Sequence, residues 1–385
     1  MRGEALISRL NVAADRRGWH VLALAAVAFA FLLDVLIRHD PISVDFHTYL
    51  AAGKVGLDHG WSSVYNQWLV AVAQKELSPG QIAQPFLSPP TVAFVTAPLV
   101  TLPYGLAYVV WAVFILAMFA VALAWAGVST GWGRWIAVVG ALAPWWVMHA
   151  VNVGQVVPLV AAGTVVAWRL TRERRDVLAG IALVTLVLKP NTAILVPIAL
   201  LFAWRYRAFA AWVGASAAVL IVVLLTVGPD GMWAYVTQLR GPLPKGADDL
   251  TLHGALSLTG VFATALRVLI IGAVLAASYK LRHSPGLVIP LAIVGSLVVS
   301  PYLHGSDLVL LAAAGWMVWE ERPALAWRAP LALGWFLASP YLYLKGASLH
   351  LNRWPWLEIA LLLALVIAAW WPLTAWDDSR RQAPA

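Results

Sequence analysis

The sequence contains no cysteine. A disulfide, a thiolate metal site and a cysteine nucleophile are thereby excluded. Charge is the next shortage: Asp, Glu, Lys and Arg make up 11% of the 385 residues, against roughly a quarter in an ordinary soluble domain. Catalytic signatures are also missing. There is no P-loop, no G-x-G-x-x-G opening a helix, no H-E-x-x-H and no Ser-His-Asp pattern, which argues against ATP-driven and dinucleotide-dependent chemistry. No polar stretch is long enough to fold as a separate soluble domain, and no fixed-period repeat is present.

What is present is apolar. The chain is 62% hydrophobic and carries 22 tryptophans, a residue that collects where a bilayer meets water. Residues 19–37 (WHVLALAAVAFAFLLDVLI) form a run long enough to span. It is too long for a signal peptide and lacks a small-residue cleavage site, so a retained first span is expected. The net charge of +8 would fit nucleic acid in a polar protein. Here it is expected to reflect cytoplasmic arginine and attraction to anionic membrane lipids, with no nucleic-acid partner.

The expected fold class is all-α, a polytopic transmembrane helical bundle. Apolar segments recur at 19–37, 104–126, 134–151, 155–169, 177–190, 191–204, 208–228, 259–279, 286–302, 306–319, 329–344 and 355–374, giving twelve candidate spans. The shorter ones are tolerable inside a bundle or a thinned bilayer. Segment 89–102 is apolar but short and proline-studded, and charge decides its status. If it does not cross, the inside-facing pieces hold Arg2, Arg9, Arg16, Arg17, Arg134, Arg169, Arg172, Arg174, Arg175, Arg205, Arg207, Lys280, Arg282, Arg322, Arg328, Arg380 and Arg381, which is 17 of the 26 basic residues. If it crosses, only 10 remain inside. The positive-inside rule prefers the first threading. Both termini are then cytoplasmic, and 89–102 is a juxtamembrane or re-entrant helix covered by protein or water. The chain reads as one domain, 1–385: a first span 19–37, an outer loop 38–103 with juxtamembrane helices, the remaining spans within 104–374, and a cytoplasmic tail 375–385.

This threading gathers chemistry on the outer face: Asp45, His47, Gln155, Lys189, the loop 229–258, His304, Asp307 and His350. The inner loops are short and arginine-rich. Loop 38–88 is too long for a simple connector, and residues 63–77 within it are amphipathic enough to lie on a membrane, so it is read as an active-site loop. Asp45 has three readings: a cap for a helix beginning near Phe46, which local sequence favours, a solvated side chain, or a general base. Asp45 and His47 offer two metal ligands at best, so no metal is expected. Lys189, in LKPN, either snorkels to the headgroups or binds phosphate. His304, in SPYLHGSDL, is a packed histidine or a phosphate or sugar ligand. Gln155, after Gly154, either satisfies broken backbone or joins the site. Arg240, Lys245, Asp248, Asp249 and His253 form a solvated face or a lid. Asp34, deep in the first span, is expected to pair within the bundle.

In order along the chain, DFHTYLAAG, GWSSVYNQ, SPPTVAFVTAPLVTLP, VNVGQVVPLVAAG, RRDVLAGIALVTLVLKPNTAILVPIALL and SPYLHGSDLVLL resemble the GT-C superfamily of integral-membrane glycosyltransferases. They are most similar to glycosyltransferase family 87, the polyprenyl-phosphate-mannose-dependent α-mannosyltransferase-like proteins. The resemblance runs over roughly residues 20–320. It implies that Asp45 is the catalytic base. Gln155, Lys189 with Pro190, and His304 match recurring polar positions near the cavity. Asn191 and Thr192 depart from the family, whose members often carry a bulky or acidic residue after the proline, and the acceptor pocket is left undefined.

The resemblance implies a sugar donor carried on polyprenyl phosphate and a lipid or glycan acceptor, with no cofactor. Lys189 and His304, with His47 and Arg240 or Lys245, would hold the phosphate while Asp45 deprotonates the acceptor for a single inversion at the outer face of a bacterial inner membrane. The competing reading is a lipid or glycan transporter, flippase or scaffold. It would call for broken helices and midplane charges, whereas most charges here lie at span ends. Transfer of another sugar, such as arabinose or glucose, is the alternative within enzymes.

Overall fold

The computed structural model describes residues 42–241, 258–323 and 356–370, with a few isolated positions besides. The first span 19–37 with Asp34, most of 329–344, the tail 375–385, and Lys245, Asp248, Asp249, His253 and His350 lie outside the described residues. Among the described residues every regular element is a helix.

Three helices come first: α1 (Val44–His59), α2 (Gln67–Leu77) and α3 (Pro90–Thr96), the last prolonged as a 3-10 turn, Ala97–Thr101. The amphipathic pattern read over 63–77 is realised in α2. Asn66 starts it, its side-chain oxygen accepting from the N–H groups of Trp68 and Leu69 at 3.2 Å each, which satisfies two of the helix's orphan donors. Val70, Ala73 and Gln74 are buried while Trp68 is 71% exposed. Two glutamines of α2 then hold the irregular segment after it. The Gln67 side chain accepts from the Phe86 N–H and donates to its carbonyl. Gln74 does the same for Gln84. Backbone groups without helical partners are paired this way, as burial demands. Helix α3 and its 3-10 turn cover 12 residues, Pro90–Thr101, about 18 Å of helix against a core of about 30 Å. That is too short to cross, and it packs on α1.

The bundle proper follows: α4 (Tyr104–Ala126), α5 (Gly131–Leu142), α6 (Trp145–Val153), α7 (Val157–Arg172), α8 (Asp176–Ala182, tightening to a 3-10 turn Leu183–Leu188), α9 (Leu195–Phe202), α10 (Tyr206–Leu239), α11 (Gly260–Lys280), α12 (Pro285–Val299), α13 (Val309–Glu320) and α14 (Trp356–Trp370). Among the described residues three helices are long and apolar enough to cross a membrane: Tyr104–Ala126, Tyr206–Leu239 and Gly260–His283. Helices α5 and α6, bent by 61°, make a fourth if taken as one span. Among the described residues the expected spans are not all separate crossing helices. Segments 177–190 and 191–204, expected as two spans, form a 13-residue and an 8-residue piece broken at Lys189-Pro190, because proline cannot donate to the preceding turn.

Helix α10 also corrects the expected loop 229–258. Gly228 adopts φ 72°, ψ 174°, after which Pro229 starts a second helical stretch that runs to Leu239. Tyr235 from this stretch stacks on Tyr65, ring centroids 4.9 Å apart, tying it to the segment before α2.

Helices α7, α12 and α13 form the centre and are buried almost all round. Only 11% of the most apolar stretch of α10, and of α11, is covered by protein, which leaves these two helices facing outward with an apolar surface suited to lipid. At the ends of α7 and α13, Glu320 accepts from the N–H groups of Val128 and Ser129 at 2.7 and 2.8 Å, and Arg172 pairs with Glu321 at 3.1 Å. This polar cluster sits at the far end of both helices from the site described next.

Candidate functional site

The N-terminus of α1 sets the site. Ser43 precedes it in the left-handed region, φ 59°, with its N–H on the carbonyl of Asn152 at 2.8 Å. The helix begins at Val44, so Asp45 lies inside its first turn and caps nothing; its Oδ2 accepts from Gln155 Nε2 at 2.9 Å. The capping reading is corrected by this earlier start. Successive helical side chains turn by about 100°. Phe46 is therefore driven into the bundle, where it is fully buried among Tyr104, Tyr108 and Trp111. Asp45 faces the corner between α6 and α7.

That corner is built around Gly154. Its φ of 76° is left-handed, a conformation glycine adopts without strain. Its N–H and that of Gln155 close the end of α6 on Val151 and Ala150. Trp111 Nε1 donates to its carbonyl at 2.8 Å. A Cβ at this position would stand 2.5 Å from Phe46 Cβ. Gln155 emerges from this clamp, and its Oε1 accepts from Tyr49 Oη at 2.5 Å and from the Val156 N–H at 3.1 Å.

Two further turns complete the cluster. Lys189 is the extended residue, φ −155°, between two 3-10 turns. Its Nζ pairs with Asp307 Oδ1 at 2.5 Å. Asp307 is fully buried in the turn Gly305–Leu308, and its Oδ2 accepts the His304 N–H at 2.9 Å. Asn191, the residue beyond the LKP proline, ties the two turns by donating to the Tyr302 carbonyl at 3.4 Å. The His304 ring stands edge-on to Tyr302, centroids 4.7 Å apart. His149, on α6, is close enough to act on Asp45 electrostatically.

The electrostatics follow from this placement. Burial is the largest influence on Asp45 and raises its carboxyl above the usual range. Lys189, His304 and His149 pull it back down in that order, and Asp307 pushes it up. His304 is lowered, first by burial, with Asp307 and Asp45 opposing and Lys189 and His149 reinforcing. One carboxylate with an accessible edge thus faces a lysine and two histidines, with a second carboxylate buried behind the lysine. Among the described residues no group of three His, Asp or Glu side chains is placed to hold a metal ion. An apolar cavity of about 390 Å³ lies between α5 and α13, lined by Val139, Gly140, Pro144, Gly315 and Trp319 among others. Trp145 packs near His149 and against Gly305.

Asp45, Gln155, Lys189 and His304, expected from the sequence, are brought together. His47 is not. Two positions beyond Asp45 it faces away, buried, with Nε2 on the Gln74 carbonyl at 2.7 Å and its ring edge on Tyr104. Burial lowers its proton affinity and the Gln74 bond partly restores it. It braces α1 to α2. Arg240 is also elsewhere: exposed at the end of α10, 5.9 Å over the Trp233 ring. Sequence reasoning missed Tyr49 and His149, and placed Asp307 on the outer face without a role. Tyr49 is four residues after Asp45, the spacing that shares a helix face. Asp307 is three after His304, the spacing of a capping pair. His149 carried no local signal.

The sequence profile of glycosyltransferase family 87 matches residues 86–340. Neither a curated protein nor a solved structure matches the chain. The matched region holds His149, Gln155, Lys189, His304 and Asp307; it begins after Asp45, later than the resemblance read from about residue 20, and extends past its end near 320. Its length is most of the protein, and the chain belongs to glycosyltransferase family 87.

Proposed function

We propose that this chain transfers a hexose, mannose in the first instance, from a polyprenyl-phosphate carrier to a lipid or glycan acceptor at the outer membrane face, with inversion. The observation that carries this reading is Asp45 placed against Lys189, His304 and His149. The acceptor hydroxyl attacks the anomeric carbon and gives its proton to Asp45. The bond from that carbon to the phosphate oxygen breaks as the new glycosidic bond forms. The phosphate starts as a singly charged diester and leaves as a more highly charged monoester. Cations at this point therefore stabilise the transition state more than the bound donor, which is what accelerates the step. Lys189 fills that role, and His304, whose proton affinity burial lowers, offers a ring N–H donor to the phosphate.

A raised carboxyl suits a base, since its proton affinity approaches working pH. The test is transfer by purified protein in liposomes, from radiolabelled polyprenyl-phosphate-mannose to a membrane-lipid acceptor pool. Wild type is expected to form labelled lipid, and Asp45→Asn to form at least 100-fold less, as general-base loss typically costs. Equal labelling by both removes Asp45 as the base.

A further inference from the structure

The amide of Gln155 has only one way to sit. Its Oε1 accepts two hydrogen bonds, from Tyr49 Oη and from the Val156 N–H. A flipped amide would turn its NH₂ toward the Val156 donor and strand a buried polar group, which is costly. The Tyr49 hydroxyl donates to Gln155 Oε1, and burial keeps it protonated, so its proton is directed at Gln155. Nε2 is thereby fixed on Asp45 Oδ2 at 2.9 Å. No other hydrogen bond to the Asp45 carboxylate is made by the described residues, which leaves Oδ1 as its unbonded oxygen.

We infer that Tyr49 and Gln155 are positioning residues for Asp45: together they lock a donor onto Oδ2 and reserve Oδ1 as the oxygen that receives the acceptor's proton. This rests on the reading of Asp45 as the base and moves Gln155 from binding the donor to orienting the carboxylate. The lock also sets proton affinity. A hydrogen bond donated to a carboxylate favours its charged form, so Gln155 counteracts the burial of Asp45. Other groups act on the same carboxylate: Lys189, His304 and Asp307 from the two turns, His149 from α6 and Tyr302 ahead of His304. Helix α3 contributes no titratable side chain. On α2, Glu76 pairs with Lys54 near the opposite end of α1. These surroundings are common to all the variants below, so a difference between them reports the Tyr49–Gln155 pair.

The experiment reads Asp45 directly, without a substrate. Dicyclohexylcarbodiimide modifies protonated carboxyls in apolar surroundings. The full chain in nanodiscs is labelled across pH, and the Asp45 adduct is quantified by peptide mass spectrometry. Gln155→Met is expected to move the labelling midpoint up by about one pH unit, and Tyr49→Phe to move it up by a smaller step. His47→Gln, which alters α1 on its other side, should leave the midpoint in place. Thermal melts of each variant control for folding, and Tyr49→Phe, which deletes one oxygen, serves if Gln155→Met does not fold. Identical midpoints in wild type, Tyr49→Phe and Gln155→Met overturn the inference. The transfer assay separates it from the reading beneath: a midpoint shift together with an active Asp45→Asn would keep the lock and discard Asp45 as base. In that assay the variants should move the acidic limb of the rate profile with the midpoint. A higher donor KM with an unmoved limb would return Gln155 to donor binding.

Discussion

Asp45 is held against its own preference. Its folded carboxyl titrates above the ordinary value of 3.8 because burial outweighs the cations around it. The sign of the linkage follows: the protein is favoured at low pH, and that stability is lost as pH rises through the raised value and Asp45 ionises. At neutral pH the carboxylate is therefore a liability to the fold. Asp45→Asn, which retains an oxygen for Gln155, should melt at a higher temperature than wild type at pH 7 while losing transfer, and the gap should narrow on acidification. A lower melting temperature at pH 7 would contradict this sign. Lys189 and Asp307 behave oppositely. With Asp307 fully buried and Lys189 nearly so, removing one partner strands a charge, at a cost of about 3–5 kcal/mol. Asp307→Ala is expected to destabilise by that order in denaturation. Lys189→Met combined with Asp307→Leu should recover most of the loss in stability and none of the activity. The charged members of this cluster could be read from the sequence because charge is scarce there. Tyr49 and His149 could not, because their roles depend on partners more than a hundred residues away (Tyr49 on Gln155, His149 on Asp45 from α6).

Elements explain what the residues cannot do alone. The α6–α7 corner is specified by a short sequence, Asn152 to Gln155, whose backbone seats α1 through Ser43 and whose one glycine meets Phe46. Gly154→Ala meets two penalties: a left-handed conformation, roughly 1–2 kcal/mol for a residue with a Cβ, and a Cβ 2.5 Å from Phe46. Gly154→Asn separates them, since asparagine tolerates the left-handed region but keeps the clash. Both variants should lose thermal stability and transfer. Restoration by asparagine would show that backbone conformation alone matters. The misplacement of His47 also belongs at this scale. Two residues from Asp45 is near in sequence, but about 200° round a helix, and the side chains serve different interfaces. Hydropathy located the apolar stretches well. It could not foresee that proline at 190 and glycine at 228 divide or extend them, because both act through backbone geometry.

The whole molecule divides into a polar cluster at one end of α7 and α13 and an arginine- and glutamate-rich end at the other, with α10 and α11 presenting apolar faces between. Positive-inside counting would set the arginine-rich end in the cytoplasm. The absence of native cysteine makes this simple to check. Ser62→Cys, on an exposed position near the site end, should react with an impermeant maleimide in intact cells. Arg174→Cys, exposed between α7 and α8, should react only after permeabilisation. The reverse pattern would invert the threading and move the proposed chemistry to the other face.

The bond between Gln155 and Asp45 spans 110 residues, and the pairing of Lys189 with Asp307 spans a second, later interval of similar size. No contiguous fragment short of Asp45 to Asp307 contains both. During synthesis the carboxylate emerges early and waits for its donor, then for its cations, until the last turn is threaded. Activity is consequently a property acquired once, late and as a unit. A partly made or prematurely ended chain holds Asp45 without the turns that carry Lys189 and Asp307, and under the proposed function it would lack the charge that steadies a departing phosphate.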